Sequence, residues 1–272
     1  VLKQRLITAA ILIPSIISAV LFLPTKVFSW LLVFVIAIGA WEWAGLIRIQ
    51  TIRGRLFYAI AVLLLLWVSC FLPLVFILVT SVIWWSICAL LLMRWSKKRP
   101  YHPIIATFTI GIIAGVLVLI PTWQAIISLH SLPVIGPKWV LFLFILVWLA
   151  DSAAYIVGRK FGHTRLAPAL SPGKTWEGVY GAIIASLLFS FIGSEVFELS
   201  GDIWWVFWGL GLLTILFSII GDLLESLFKR ISAVKDSGYL LPGHGGVLDR
   251  VDSLTAASPV FALGIWVLER LQ

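Results

Sequence analysis

Charge is what this sequence has least of. Asp, Glu, Lys and Arg supply 12% of the 272 residues, about half the share of an ordinary soluble domain. Apolar residues make up 61%. That balance excludes a soluble globular class. Cysteine is scarce too. Cys70 and Cys88 lie in or at the ends of apolar segments, so they offer no metal site and say nothing about redox compartment. Alternation at period two is missing from the apolar runs, which excludes a membrane β-barrel. There is no soluble domain, low-complexity tract or clear internal repeat. No small-x-small cleavage site follows the first apolar segment at the usual distance, so that segment reads as an uncleaved first helix. What remains is an all-α, polytopic integral membrane protein.

Apolar runs near twenty residues, cut by Pro, Gly and charge, predict about nine transmembrane helices. They fall near 5–23, 27–47, 55–72, 74–93, 104–121, 139–158, 177–194, 203–224 and 253–270. With nine spans, Lys26, Lys138 and Arg270 fall on one side of the membrane and the other 17 of 20 basic residues on the opposite side. Basic residues stay cytoplasmic. The N-terminus is therefore expected inside and the C-terminus outside. The net charge of +8 is mostly a topology signal and does not indicate nucleic-acid binding. The longest polar insertions, 159–176 and 229–252, are expected to face the cytoplasm.

The chemistry gathers in the second half. The chain reads as a scaffold of helices over 1–138 and a set of helices carrying the motifs over 139–272. Acids at membrane depth are costly and usually functional. Asp222, Glu225, Ser226 and Lys229 fall at i, i+3, i+4 and i+7, one helix face. Asp249, Asp252 and Ser253 repeat the pattern at the start of the last span. If these two helices lie side by side, Asp222 and Asp249 meet at the cytoplasmic edge. Carboxylate oxygens without Cys or a His cluster point to a hard cation, most simply Mg²⁺. Between the helices runs a loop with Gly238, Pro242, Gly243, His244, Gly245 and Gly246. Its successive N–H groups are expected to cradle phosphate oxygens.

A second cluster is "SPGKTWEG", Ser171 to Gly178. Ser171 before Pro172 resembles a helix N-cap with Pro at the first helical position. A P-loop is rejected, because Pro168 stands where its first Gly is required and no strand precedes it. Lys174, Ser171 and Thr175 still suit a phosphate at a helix start. Asp151, inside an apolar span with Ser152 and Tyr155 near it, is expected to serve the site directly or in support. Glu42, between Trp41 and Trp43, reads as structural. Gly111 and Gly115 match GxxxG, a sign of close packing within the chain or between chains; a homodimer is left open.

The run from Ser226 to Asp252 resembles the signature of the phosphatidate cytidylyltransferases, also called CDP-diacylglycerol synthases. Ser226, Lys229, Arg230, Lys235, Asp236, Gly238, Pro242, His244, Gly245, Gly246, Asp249, Arg250 and Asp252 match it without a gap. The "SPGKTWEG" element and the Asp151 segment are also similar to that family's. The resemblance implies the reaction of CTP with phosphatidate to give CDP-diacylglycerol and pyrophosphate, in phospholipid biosynthesis in the bacterial cytoplasmic (inner) membrane. It implies Mg²⁺, with a second cation left open, and attack of the lipid phosphate on the α-phosphorus of CTP. On this reading Asp222 and Asp249 are the expected metal ligands, with Asp252, Glu225 or Ser226 nearby. Lys229, Arg230, Lys235 and Arg250 neutralise phosphates. Ser171, Lys174 and Thr175 contact nucleotide phosphate, with Gly245 and Gly246 lining the site. His244 orders the loop or bonds a phosphate. The other readings are a CTP-dependent lipid-alcohol kinase and a transporter of an anionic substrate.

Overall fold

The computed structural model describes residues 2–95, 108–241, 243 and 245–271. His244 and Pro242 lie outside the described residues. Along the chain come α1 (Leu2–Phe22), α2 (Thr25–Leu46), α3 (Ile52–Ser69), α4 (Leu74–Trp95), α5 (Phe108–His130) and α6 (Gly136–Phe161). A short antiparallel hairpin, β1 (Arg165–Ala167) and β2 (Ser171–Thr175), follows. Then come α7 (Trp176–Val196), α8 (Asp202–Ile231) and α9 (Leu248–Leu271). Eight of these helices, α2 to α9, are long and apolar enough to cross a membrane, while the apolar stretch of α1, Thr8–Phe22, is shorter. The all-α polytopic expectation therefore holds.

Two sequence-based boundaries are corrected. The fifth span was expected to stop at residue 121, where a proline stands. Instead α5 carries Pro121 inside it and continues to His130. Membrane helices tolerate proline where neighbouring helices and hydroxyls take up the slack. Here α5 packs on α9 beside the proline, where Thr122 Oγ1 lies 3.2 Å from Thr255 O. The second correction concerns Ser171, which is not an N-cap. It opens β2, and Thr175 caps α7 instead, its Oγ1 accepting the Gly178 N–H at 3.2 Å. Proline at position 172 suits a short edge strand as well as it suits a first helical turn. A strand thus does precede α7, and the Gly-Lys-Thr run is part of that strand rather than a phosphate-binding loop.

Helix length positions the site. At 1.5 Å per residue the 30 residues of α8 extend about 45 Å, well beyond the ~30 Å hydrocarbon layer. Trp204, Trp205 and Trp208 cluster near its start, as an interfacial aromatic belt does. Asp222 stands about 27 Å further along the axis, at the opposite boundary. The last turns of α8 therefore emerge from the lipid with their charges.

Lipid is as apolar as leucine, so the helices associate through close packing, and small residues set the closest approaches. α8 packs most extensively on α9, and α6 on α7. A Cβ on Gly221 of α8 would stand 2.5 Å from the Asp252 carbonyl of α9, and one on Gly178 of α7 would stand 2.8 Å from Ala154 O of α6. Gly115 is pressed against Tyr58 and Trp43, and Gly111 against Ile47. The GxxxG pair is thus spent inside the chain, against α2 and α3. One buried cluster, around Trp43, Trp85, Phe228 and Leu248, supports the charged end of α8 and α9. Another, around Trp139, Phe142, Phe207 and Phe261, ties α6 to α8 and α9.

Candidate active site

Three segments converge at the end of α8: the β-hairpin, the loop from Ser232 to Val247, and the start of α9. From the hairpin, Lys174 forms an ion pair with Asp222. Ser226 Oγ, one turn on, lies 3.4 Å from the other Asp222 oxygen. Asp151 of α6 is exposed and stands within electrostatic reach of Lys174, Asp222, Ser253 and Arg250. Two acids and a lysine that the sequence separates widely are thus brought within reach of one another. Thr175 is 4% exposed, and its hydroxyl accepts the capping hydrogen bond described above. Arg230 Nε donates to Leu170 O at 3.0 Å, which fastens α8 to the hairpin turn.

A second centre is more deeply buried. Lys229 Nζ lies 2.8 Å from Asp249 Oδ1 and 3.4 Å from Glu225 Oε1. The other Asp249 oxygen accepts three bonds: from Ser237 N at 2.8 Å, Ser237 Oγ at 2.9 Å and Gly246 N at 2.9 Å. Asp222 is paired with Lys174 and Asp249 with Lys229, and Lys229 stands within electrostatic reach of Asp222 as well. Asp252 faces α8 where Gly221 lets the backbones touch. Glu225 and Asp252 border a cavity of about 10 Å³ beside Trp43, Trp85 and Thr255, room for roughly one water.

The glycine loop also departs from expectation. The N–H groups of Gly246, Val247 and Leu248 point at protein carboxylates, not outward. Gly243 and Gly245 adopt φ of 75° and 82°, the left-handed region glycine enters freely, and Leu241 N bonds Gly245 O at 2.9 Å to close the turn. Lys235, Asp236 and Arg250 are exposed along this rim. Two residues that sequence reasoning did not bring to the site are Glu42, assigned only a structural part, and Arg48. Glu42 Oε1 accepts from Val247 N at 3.0 Å, and Oε2 from Leu248 N at 2.8 Å and Ser237 Oγ at 3.1 Å. Arg48 donates to the Ile231 carbonyl at the end of α8. The signal for Glu42 was its acid at membrane depth; nothing in the sequence indicated its partners.

Among the described residues no three His, Cys, Asp or Glu side chains converge as a finished metal cage. The donor chemistry nonetheless fits a hard cation. It is all oxygen, and both Glu225 carboxylate oxygens are buried without a hydrogen bond, Oε1 facing the Lys229 ammonium at 3.4 Å.

The model of the Cytidylyltransferase family matches residues 3–268. A phosphatidate cytidylyltransferase of Pseudomonas aeruginosa is 40% identical over 284 aligned positions, covering 97% of both chains. One from Haemophilus influenzae is 39% identical, covering 96% of this chain and 97% of its own. A Staphylococcus epidermidis protein of the same name is 45% identical over a shorter stretch, 46% of this chain. A match that runs almost end to end, over helices that bring the charged clusters of α8 and α9 together, makes this chain a member of the cytidylyltransferase family.

Proposed function

We propose that the protein is a phosphatidate cytidylyltransferase, converting CTP and phosphatidate to CDP-diacylglycerol and pyrophosphate at the cytoplasmic edge of a bacterial inner membrane. The observation that carries this reading is the pair of lysine–carboxylate centres, Lys174–Asp222 and Lys229–Asp249, at the charged end of α8. A lipid phosphate and a water-soluble nucleotide can both reach that boundary. The 17-to-3 division of basic residues supports a site on the cytoplasmic side.

A phosphate monoester has a second pKa of about 6, so the lipid phosphate is already a nucleophile near neutral pH. Its oxygen forms a bond to the α-phosphorus of CTP as the bond to the β-phosphate oxygen breaks. Pyrophosphate leaves with that electron pair. No side chain has to take a proton from the nucleophile. The protein's task is to hold two polyanions in line and neutralise them. Lys174 and Lys229 would turn from carboxylate to phosphate as substrates enter. Arg230, Lys235 and Arg250 supply further positive charge along the rim. Ser171, Gly245 and Gly246 line the approach. Asp222 and Asp249 would hold Mg²⁺, with Asp252 and Glu225 beside them and Asp151 near Asp222. Such a cation, when bound, offsets phosphate charge at the reacting centre. On this reading residues 139–272 carry the chemistry and residues 1–138 support it. A homodimer and a second cation are compatible with the reading but do not enter it.

Purified protein with CTP, Mg²⁺ and phosphatidate, its products read by mass, tests the proposal. CDP-diacylglycerol and pyrophosphate are expected. Formation of CDP and a phosphorylated lipid alcohol would instead make the protein a kinase.

A further inference from the structure

The loop between α8 and α9 is framed from outside by the end of α2. Glu42, 4% exposed, meets the start of α9 through Val247 N and Leu248 N. Arg48, six residues later, meets the end of α8 through Ile231 O. An acid thus stands at a helix N-terminus and a base at a helix C-terminus, the arrangement each helix dipole favours. The helix ends that bound the loop are thereby tied to one turn of backbone in the other half of the chain. Arg48 holds φ at 66°, an unusual conformation for a residue with a side chain. Arg55 Nε closes the same turn by donating to Ile49 O at 2.8 Å.

The loop is built around Glu42. A Cβ on Gly246 would lie about 2.5 Å from the Glu42 carboxylate, and one on Gly238 would overlap it as well. Those glycines let backbone pass where a side chain could not. The Ser237 hydroxyl sits between two acids, 3.1 Å from Glu42 Oε2 and 2.9 Å from Asp249 Oδ2, and it has one proton to share between them. Asp249 is fixed on the same side by Ser237 N and Gly246 N. Any shift of Glu42 therefore moves the groups that aim Asp249.

We infer that Glu42 and Arg48 form a clamp that positions Asp249 and the glycine loop, with Glu42 the dominant member. They are positioning residues, since neither touches the reacting atoms. This inference rests on the cytidylyltransferase reading for its activity arm, but its structural arm does not.

The test uses the full-length protein in detergent. Glu42→Gln keeps size and shape but turns an amide N–H₂ toward backbone donors. Arg48→Gln removes the guanidinium from the end of α8. Ser237→Ala removes the shared hydroxyl and leaves the backbone bonds. Glu42→Gln is expected to lower kcat about 100-fold, the cost of a misplaced site, with KM for CTP nearly unchanged. Arg48→Gln should cost about two- to fivefold, as a lost cap at a helix C-terminus does. Glu42→Gln combined with Ser237→Ala should be less harmful than the product of the two, because both act on Asp249. Amide hydrogen exchange should quicken in residues 237–248 and stay unchanged in α5 and α6. Full activity in Glu42→Gln overturns the clamp. So does a loss accompanied by faster exchange throughout α2 to α6, which would mark a general packing residue. If the wild type transfers no cytidylyl group, the exchange pattern alone decides: local quickening supports the clamp, and none overturns it.

Discussion

The Lys174 ammonium, carried on a two-stranded hairpin, forms an ion pair with the Asp222 carboxylate on α8. Both side chains are 27% exposed, so the pair is wet enough to open and close. That suits the proposed exchange of a carboxylate for a phosphate. A pair this exposed contributes about 0–1 kcal/mol to stability.

Lys174→Gln should leave folding intact and lower kcat/KM for CTP. A lost charge-assisted contact in a transition state costs roughly 2–4 kcal/mol, or about 30- to 1,000-fold. Lys174→Arg should recover part of the loss, because the charge remains but its shape differs. Lys160→Gln is the control. Lys160 lies in the last turn of α6 over the Phe161 ring and should change activity little. Equal, slight losses in both glutamine variants would make Lys174 a surface charge.

Asp222→Asn and Asp249→Asn should both abolish turnover, yet differ in stability. The Asp249–Lys229 pair is buried, with side chains 5% and 13% exposed. Breaking a buried pair from one side strands the other charge and costs about 3–5 kcal/mol. The Asp222 pair should cost about 1 kcal/mol or less. Thermal unfolding in matched detergent separates them, and added Mg²⁺ should restore some activity where a metal ligand has been weakened. Wild-type turnover in either variant at low Mg²⁺ removes that residue from the site.

Tyr239 reports topology. It lies in the glycine loop and is 92% exposed. In a variant lacking Cys70 and Cys88, Tyr239→Cys should resist a membrane-impermeant thiol reagent on intact cells and react once the cells are opened. Labelling from outside would reverse the orientation expected from the basic residues.

Gly115→Ala tests the packing of α5. A methyl group there would collide with the Tyr58 hydroxyl and the Trp43 ring. Overpacking of this kind costs roughly 1–3 kcal/mol, visible as a lower unfolding temperature. The oligomeric state should not change, because this glycine pair faces the chain's own helices. A variant that unfolds like the wild type but changes its association state would place GxxxG at an interface between chains.

Hydropathy and charge by themselves determined that this is an all-α membrane protein, because a helix crossing lipid must be apolar over its length whatever it packs against. The helical spacing of Asp222, Glu225, Ser226 and Lys229, and of Asp249, Asp252 and Ser253, was legible for the same reason: residues three and four apart share a face without help from the rest of the fold. The end of α5 was not legible, since a proline stops a helix in water but not where neighbouring helices support it. Nor was the strand at Ser171, because Ser-Pro suits a helix start and an edge strand equally. Only the tertiary structure decided which lysine meets which acid, that the loop's N–H groups turn inward, and that Glu42 receives Val247 and Leu248 from some 205 residues away. Those bonds join groups with no shared period, and it is the packing of α2 against the ends of α8 and α9 that brings them within reach.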